Sequence, residues 1–129
     1  MVLDASGVVE LLLNTDSGRR LSARLLAETE GVHVPHLIDA EIAQVLRRFV
    51  LRGLLDARSG AAALRRWQDF DVDRYPHEPL LDRVWELRAN VTAYDATYLA
   101  LAEALSMVFV TGDRRLARVP GARTAIELV

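Results

Sequence analysis

The 129-residue sequence has no cysteine, and only 6% of its residues are aromatic. All 16 of its basic residues are arginine, so lysine is absent as well. The lack of cysteine excludes disulfides, thiol nucleophiles and cysteine-based zinc sites. The lack of lysine excludes Schiff-base catalysis and a P-loop, because both need an amine. Arginine-favouring codon usage in a GC-rich genome explains the bias better than selection of a guanidinium at every position.

No apolar run approaches the roughly 18 residues that a membrane span requires. The first residues lack the basic segment of a signal peptide and include an acid at Asp4, so we expect a cytoplasmic protein. The net charge of −2 means that nucleic-acid binding would need local arginine clusters. Hydrophobic residues make up 51% of the chain, which indicates surface buried against another subunit or partner.

Short apolar runs alternate with amphipathic helical patterns along the chain, with no linker or internal repeat. This order predicts one α/β domain, residues 1–129, with a mainly parallel sheet. The predicted strands are residues 1–3, 32–35, 71–75, 107–110 and 124–127. The predicted helices are residues 7–13, 19–30, 37–51, 56–70, 80–88 and 93–105.

The predicted helix 93–105 is apolar on nearly every side, and Glu103 is its clearest outlet to water. Asp95 lies in its first turn, in line with Leu99 and Ala102. A buried carboxylate costs several kcal/mol unless a cation meets it. The sequence therefore predicts a cationic partner for Asp95, with an arginine as the purely structural possibility.

Three further acids recur at positions that a parallel fold brings together. Asp4 and Asp113 follow predicted strands, and ligands of parallel sheets bind outside the carboxyl ends of the strands. Glu41 lies early in the helix 37–51, beside its apolar stripe. Taken singly, each acid has a structural alternative. Asp4 could be a helix cap and Asp113 a turn residue. Glu41 could be a solvated ion-pair partner, and Asp95 a first-turn acid favoured by the helix dipole.

Together, Asp4, Glu41, Asp95 and Asp113 would repel one another unless a cation lay among them. Oxygen ligands suit Mg²⁺, with Mn²⁺ as a substitute, and such an ion activates water and neutralises charge on a phosphodiester. The hydroxyl groups near these acids could bond the carboxylates or simply cap helices. These hydroxyls belong to Ser6, Thr92 and Thr111.

Other polar residues receive structural assignments. Asp39 is two residues from Glu41 and points about 200° away from it, so we assign it to solvent or to the helix dipole. His33 and His36 share no helix face and are interpreted as surface or structural residues. Asn90 and Thr92 precede the helix of Asp95 and are predicted to line the pocket.

The sequence resembles the PIN-domain ribonucleases, specifically the VapC-type toxins of bacterial toxin–antitoxin modules. The resemblance is carried by the segments VLDAS at residues 2–6, IDAEIA at 38–43 with LRR at 46–48, YDATYLALAE at 94–103 and VTGDRRL at 110–116. It implies a three-layer α/β/α fold with a parallel sheet and Mg²⁺-dependent endonucleolytic cleavage of RNA. It also implies a catalytic cluster with metal ligands among its members and two supporting hydroxyls. The catalytic acids would be Asp4, Glu41, Asp95 and Asp113, the ligands Asp4, Asp95 and Asp113, and the supporting residues Ser6 and Thr111.

An RNA substrate needs positive charge beside the acids. Arg114, Arg115 and Arg48 are the candidate RNA-binding residues, although solvated surface arginines fit the same pattern, and the few aromatic residues indicate no sequence preference. The resemblance further implies a homodimer and a cognate antitoxin whose amphipathic segment lies across the helices. Candidates for that groove, which core packing explains equally well, are Leu46, Phe49, Val50, Leu54 and Leu55.

Two other classes of protein were weighed. A phosphoacceptor receiver domain also has an acidic Mg²⁺ site in an α/β fold, but it needs a lysine that this chain lacks. A PIN-like domain kept only for binding would have lost one or more acids, whereas all four candidates are present.

Overall fold

A computed structural model describes all 129 residues and contains one five-stranded sheet. The strands pair in the order β3-β2-β1-β4-β5, and every pair is parallel. The prediction of an α/β fold with a mainly parallel sheet is therefore confirmed. The strands are β1 Val2–Leu3, β2 His33–Pro35, β3 Asp73–Tyr75, β4 Phe109–Thr111 and β5 Ile126–Leu128.

Six α-helices form two groups that enclose the sheet, giving three layers. α1 to α4 pack on one another, whereas α5 packs on α6, and α6 also lies against β1, β2 and β4. None of these helices has the length and apolar character needed to cross a membrane. The helices are α1 Ala5–Leu12, α2 Asp16–Leu26, α3 Leu37–Leu51, α4 Ala57–Gln68, α5 Leu81–Glu86 and α6 Ala93–Leu105.

The centre of the molecule is apolar on both faces of the sheet. The two residues of β1 are fully buried, as a central parallel strand covered by helices on both sides should be. On α6 every residue from Ala96 to Ala102 is buried. β1 and α6 therefore form the rigid centre of the fold, and the polar groups at their ends need defined partners.

Helices α3 and α6 begin and end where the sequence predicts, but α1 and α2 do not. The predicted break at residues 14–18 is shorter, because Gly18 lies inside α2. A side chain there would collide with α1, since an added Cβ would lie 2.0 Å from the carbonyl oxygen of Glu10. Thr15 caps α2 by accepting a hydrogen bond from the Gly18 amide at 3.0 Å. Gly18 thus allows close helix packing rather than ending a helix.

The expectation that Glu103 opens α6 to water is wrong. Its side chain is 9% exposed, and its carboxylate accepts hydrogen bonds from Arg83 Nε at 2.6 Å and from the Arg123 amide at 2.7 Å. Burial is the largest single effect and raises the pKa of Glu103. The hydrogen bonds from Arg83 and from the Arg123 amide, together with the charges of both arginines, outweigh it, so the pKa of Glu103 is lowered. The pair joins α5 to α6.

Asp39 points away from Glu41, as the helix geometry predicts, but it is not simply solvated. It accepts hydrogen bonds from Trp67 Nε1 at 2.6 Å and from Arg74 Nε at 3.1 Å. Asp39 is exposed in the first turn of α3, as the assignment to solvent or to the helix dipole expects, but it also joins α3 to α4 and β3.

The histidines hold structural positions. His33 is buried, with Nδ1 3.0 Å from the Tyr75 hydroxyl and Nε2 2.9 Å from the Glu30 carbonyl oxygen. His36 is exposed at the start of α3, where His77 Nε2 accepts a hydrogen bond from the Leu37 amide at 2.9 Å. The interpretation of His33 and His36 as structural or surface residues is confirmed.

Candidate active site

Asp4 follows β1 directly and caps α1. Its Oδ1 accepts hydrogen bonds from the Gly7 amide at 2.9 Å and the Ser6 hydroxyl at 2.7 Å, and its Oδ2 accepts one from Thr111 Oγ1 at 2.5 Å. Burial raises the pKa of Asp4, the hydrogen bonds from Thr111, Gly7 and Ser6 offset part of that rise, and the charge of Asp95 adds to it. Asp4 is thus fixed in direction but costly to ionise.

Ser6 and Thr111 join the start of α1 to the end of β4. Ser6 Oγ accepts a hydrogen bond from the Gly112 amide at 2.9 Å and lies 3.4 Å from Thr111 Oγ1. An added Cβ at Gly112 would lie 3.1 Å from Ser6 Oγ, so glycine allows this close approach. Both predicted supporting residues therefore contact the carboxylate of Asp4.

Glu41 reaches the same region from α3. Its Oε2 accepts a hydrogen bond from the Tyr98 hydroxyl at 2.5 Å. Burial raises the pKa of Glu41, the bond from Tyr98 opposes this, and the charges of Asp4 and Asp95 raise it further. Burial and the neighbouring Glu41 also raise the pKa of Tyr98. Tyr98 therefore stays protonated, and its hydroxyl is the hydrogen-bond donor to Glu41.

Tyr98 belongs to the motif at residues 94–103, but no role was predicted for it from the sequence. A usable signal was present, because Tyr98 lies three residues after Asp95 and so shares its helix face.

Asp95 stands in the first turn of α6, at the mouth of a pocket of about 190 Å³. Its Oδ2 accepts a hydrogen bond from the Thr92 hydroxyl at 2.7 Å, and its amide donates to the same hydroxyl oxygen at 3.2 Å. Asn90, Thr92 and Asp113 line this pocket with it, which confirms the predicted lining. No arginine forms a salt bridge with Asp95 within 4 Å, so an arginine is not the cationic partner that the sequence predicts for it.

Asp113 differs from the other three acids because it has a cationic partner. It accepts hydrogen bonds from the Arg115 amide at 2.9 Å and from Arg115 Nε at 3.0 Å. The hydrogen bond from Arg115 lowers the pKa of Asp113. The Arg115 side chain is 87% exposed, so its guanidinium can leave Asp113 without disturbing the core.

Asp4, Glu41 and Asp95 form a set of mutually repelling carboxylates with no ion-pair partner, called here the acidic triad. No three acidic or imidazole side chains lie close enough to hold a metal ion unaided. Mg²⁺, however, binds through one or two carboxylates and keeps several waters. The all-oxygen donors and the absence of a salt bridge fit such an ion, and the residues that would hold it are Asp4, Asp95 and, if Arg115 released it, Asp113.

The candidate RNA-binding arginines surround this edge of the sheet. Arg114 and Arg115 are exposed in the short 3-10 turn after β4, and Arg48 is exposed on α3, two turns beyond Glu41. Arg114 and Arg48 form no salt bridge, so their charge is available to a phosphate. Their role in RNA binding stays a prediction.

A cavity of about 340 Å³, called here the α3 cavity, opens beside Glu41. Sequence reasoning missed it, because it depends on how the first turn of α6 lies against α3. Its lining combines apolar and polar side chains. The apolar members are Ala5, Leu37, Ala40 and Val45, and the polar members are Glu41, Gln44, Arg48 and Tyr94.

A parallel three-layer fold with carboxylates at the carboxyl ends of its central strands has the acids at the edge where ligands of such sheets bind, as in a hydrolase of the nuclease type. The family model described as the PIN domain matches residues 1–122, so the chain belongs to the PIN domain family. Its relationship to PIN-domain ribonucleases, expected from the motifs, is confirmed.

Named relatives and solved structures agree with this. The chain is 46% identical over 129 residues to Ribonuclease VapC9 of Mycobacterium tuberculosis, covering 100% of this chain and 98% of that protein. PAE2754 from Pyrobaculum aerophilum superimposes with a TM-score of 0.70 at 25% identity, covering 98% of this chain and 81% of that chain. A structure of VapBC2 from Rickettsia felis, bound to a DNA fragment from their promoter, gives a TM-score of 0.71 at 14% identity, covering 99% and 97% of the two chains.

Proposed function

We propose that this protein is a metal-dependent endoribonuclease, the toxin of a toxin–antitoxin pair, that hydrolyses RNA phosphodiesters at the acidic triad. The observation that carries the proposal is the triad itself: the charge of Asp95 raises the pKa of both Asp4 and Glu41 at the carboxyl edge of the sheet, and none of the three acids forms a salt bridge with an arginine. The 46% identity to a ribonuclease along the whole chain supports the same substrate class.

Each residue of the site has a defined task in this proposal. Asp4 and Asp95 would hold Mg²⁺ or Mn²⁺, and the bound ion would supply activation of water and neutralisation of charge on the phosphodiester. Ser6 and Thr111 fix the direction of the Asp4 carboxylate. Glu41 accepts a proton from the attacking water, and its raised pKa makes it a stronger base than an exposed glutamate.

Asp113 and Arg115 complete the proposed site. Arg115 exchanges its bond to Asp113 for one to the RNA phosphate, which frees the Asp113 carboxylate for the metal. Arg114 and Arg48 supply further positive charge along the RNA.

The partners follow from the same assignment. Two of the structural neighbours are described as VapBC bound to DNA, from Rickettsia felis and Salmonella typhimurium, and by that likeness we propose a cognate antitoxin here. An apolar groove of about 250 Å³ between α3 and α4, lined by Leu46, Val50, Leu51 and Leu64, suits an amphipathic segment. The predicted groove residues Leu46 and Val50 belong to it. We also propose a homodimer and a cytoplasmic location.

The decisive experiment incubates purified protein with RNA in Mg²⁺, in Mn²⁺ and in chelator. Cleavage in either metal, its loss in chelator and its loss in Asp95→Asn are expected. Asp39→Asn is the matched control, because it makes the same chemical change on an acid outside the site. Cleavage by Asp95→Asn at the wild-type rate would overturn the site assignment.

The toxin role is tested by expression alone and together with the neighbouring small gene, scored by growth and RNA integrity. Growth arrest with RNA loss, relieved by the neighbour, is expected. RNA binding without cleavage in any metal would instead favour the binding-only PIN-like domain.

A further inference from the structure

We infer that the α3 cavity binds one unpaired nucleobase of the RNA, next to the phosphodiester that is cut, with Tyr94 as its stacking surface. This inference rests on the proposed ribonuclease function and deepens it, because it names a subsite and the form of RNA that can enter it. Single-stranded or looped RNA would be a substrate, whereas paired bases would be excluded.

The α3 cavity is continuous with the acidic triad. Ala5, in its wall, follows Asp4; Tyr94 precedes Asp95; and Glu41 belongs to both the cavity and the triad. A phosphodiester held between Asp4 and Asp95 therefore has its neighbouring nucleoside at the mouth of the cavity. Glu41 does not line any of the other four larger cavities.

The chemistry of the walls favours a base over a phosphate. Leu37, Ala40 and Val45 supply apolar surface, and the only carboxylate, Glu41, would repel an anion but not a neutral ring. A volume of about 340 Å³ lies near the lower end of the roughly 300–1,000 Å³ of small-ligand pockets. One nucleoside fits, but a helix does not.

Tyr94 is the unusual tyrosine of the chain. The hydroxyls of Tyr75 and Tyr98 are hydrogen-bonded to His33 and Glu41, whereas the hydroxyl of Tyr94 has no hydrogen-bond partner in the protein and the residue is 66% exposed. An aromatic ring left in water at the edge of a cavity is suited to base stacking, the main sequence-tolerant contact to single strands. Tyr94 lies in the first turn of α6 beside Asp95, so a base that stacks on it is close to the acids of the triad.

The far end of the cavity is polar. Gln44 lies one turn beyond Ala40 on α3 and offers an amide donor and acceptor to a base edge. Arg48 lies two turns beyond Glu41, about 10 Å along the helix axis, and forms no salt bridge. It is placed to meet the phosphate that follows the bound nucleoside. Bases of a duplex stay stacked inside it, so only unpaired RNA offers a base to this cavity.

The first test measures binding of a short fluorescent single-stranded RNA in chelator, where no cleavage occurs. Tyr94→Ala should weaken binding about tenfold, and Tyr94→Phe should retain it, because stacking needs only the ring. Trp85→Ala is the control, since it removes a 69% exposed aromatic side chain of α5 outside the cavity. With a duplex of the same sequence, Tyr94→Ala should bind like the wild type.

The second test uses wild-type protein and metal, so it does not depend on how a variant folds. After the cut is mapped, single abasic nucleotides are placed at each position around it. One abasic position beside the cut should reproduce the loss seen in Tyr94→Ala, and combining the two should add little, as expected for partners in direct contact.

The outcomes separate this inference from the proposed function. If wild type cleaves RNA but neither Tyr94→Ala nor any abasic position beside the cut has an effect, the inference is wrong and the ribonuclease stands. If Tyr94→Ala changes only self-association in sedimentation, the cavity is an interface between copies and the inference is wrong. If the wild type cleaves no RNA, both fail.

Discussion

Two acids on α3, Asp39 and Glu41, lie two residues apart and have opposite surroundings. Asp39 is held by Arg74 and by the indole of Trp67, so its charge is balanced. Glu41 has only the neutral hydroxyl of Tyr98 as a partner, and burial and two further carboxylates raise its pKa. An acid that is paired with an arginine, such as Asp39, stabilises the fold. An acid without such a partner, such as Glu41, is available to the chemistry of the site.

Glu103, near the end of α6, and Asp4, after β1, show the same difference between an acid with an arginine partner and an acid without one. Arg83 lowers the pKa of Glu103, while burial raises that of Asp4 although three hydrogen bonds surround it. Asp113 stands between these cases, because its arginine is exposed and can be exchanged.

The largest expected effect comes from making the same kind of change at both acids of α3. Glu41→Gln should lower the rate of RNA cleavage by about 10²–10⁴-fold, because it removes the proposed proton acceptor. Asp39→Asn should leave the rate within about twofold, since it lies outside the site, and lose about 1 kcal/mol of stability. Initial rates in Mg²⁺ and urea unfolding measure the two effects. Equal losses of activity would abolish the distinction.

Breaking the balanced pair should damage the fold. Arg83→Ala leaves the carboxylate of Glu103, 9% exposed, without its cation, and should lower the free energy of unfolding by about 3 kcal/mol. Urea unfolding of the metal-free protein measures the change. The double variant Arg83→Met, Glu103→Gln should recover part of it, because no unpaired charge remains. A double variant no more stable than Arg83→Ala would contradict this account.

Tyr98→Phe tests the neutral partner of Glu41. The hydrogen bond from Tyr98 lowers the pKa of Glu41, so its removal should raise that pKa. Because the proposed base acts when ionised, the acidic limb of the pH profile of kcat/KM should move to higher pH, and activity should fall about tenfold. An unchanged profile with a reduced rate would indicate only a packing role for the hydroxyl.

The smallest expected effect is on stability: in metal-free protein, the contributions of Glu41 and Glu103 to the free energy of unfolding should change with pH in opposite directions. The folded-state pKa of Glu41 is raised, so its contribution to stability is present in acid and is lost as the pH rises through that pKa. The folded-state pKa of Glu103 is lowered, so its contribution is present at neutral pH and lost as the pH falls.

Near neutral pH, Glu41→Gln should therefore raise the free energy of unfolding by less than about 1 kcal/mol, with a slightly higher Tm, whereas Glu103→Gln should lower both quantities. Both differences should shrink below the usual carboxyl pKa of about 4. Thermal unfolding in chelator across this range measures them. Shifts of the same sign in both variants would contradict the division.

Much of the fold could be predicted because local signals agree with it. Thr92 caps α6 and Gly53, at a φ of +69°, follows the end of α3, and both are readable from residue type. The error at Gly18 arose because a glycine that ends a helix and one that permits close packing look alike in sequence. Which role it plays depends on Glu10, in the neighbouring helix.

The site was predictable in part for the same reason. Asp4 and Asp113 follow strands, and parallel strands bring their ends together, so position along the chain indicates position in the site. Partners distant in sequence carry no such signal. Arg83 for Glu103 and Trp67 for Asp39 could not be named, because many exposed arginines and apolar helices compete for each acid.

The hydrogen bond from Thr111 to Asp4 joins residues 107 positions apart in the chain. During synthesis, β1 and its aspartate emerge first, but the strand that completes their surroundings emerges almost last. A growing chain therefore has no working centre until β4 has left the ribosome and paired with β1. A chain that ends before β4 therefore lacks the Thr111 hydroxyl and leaves the carboxylate of Asp4 without one of its three hydrogen-bond donors.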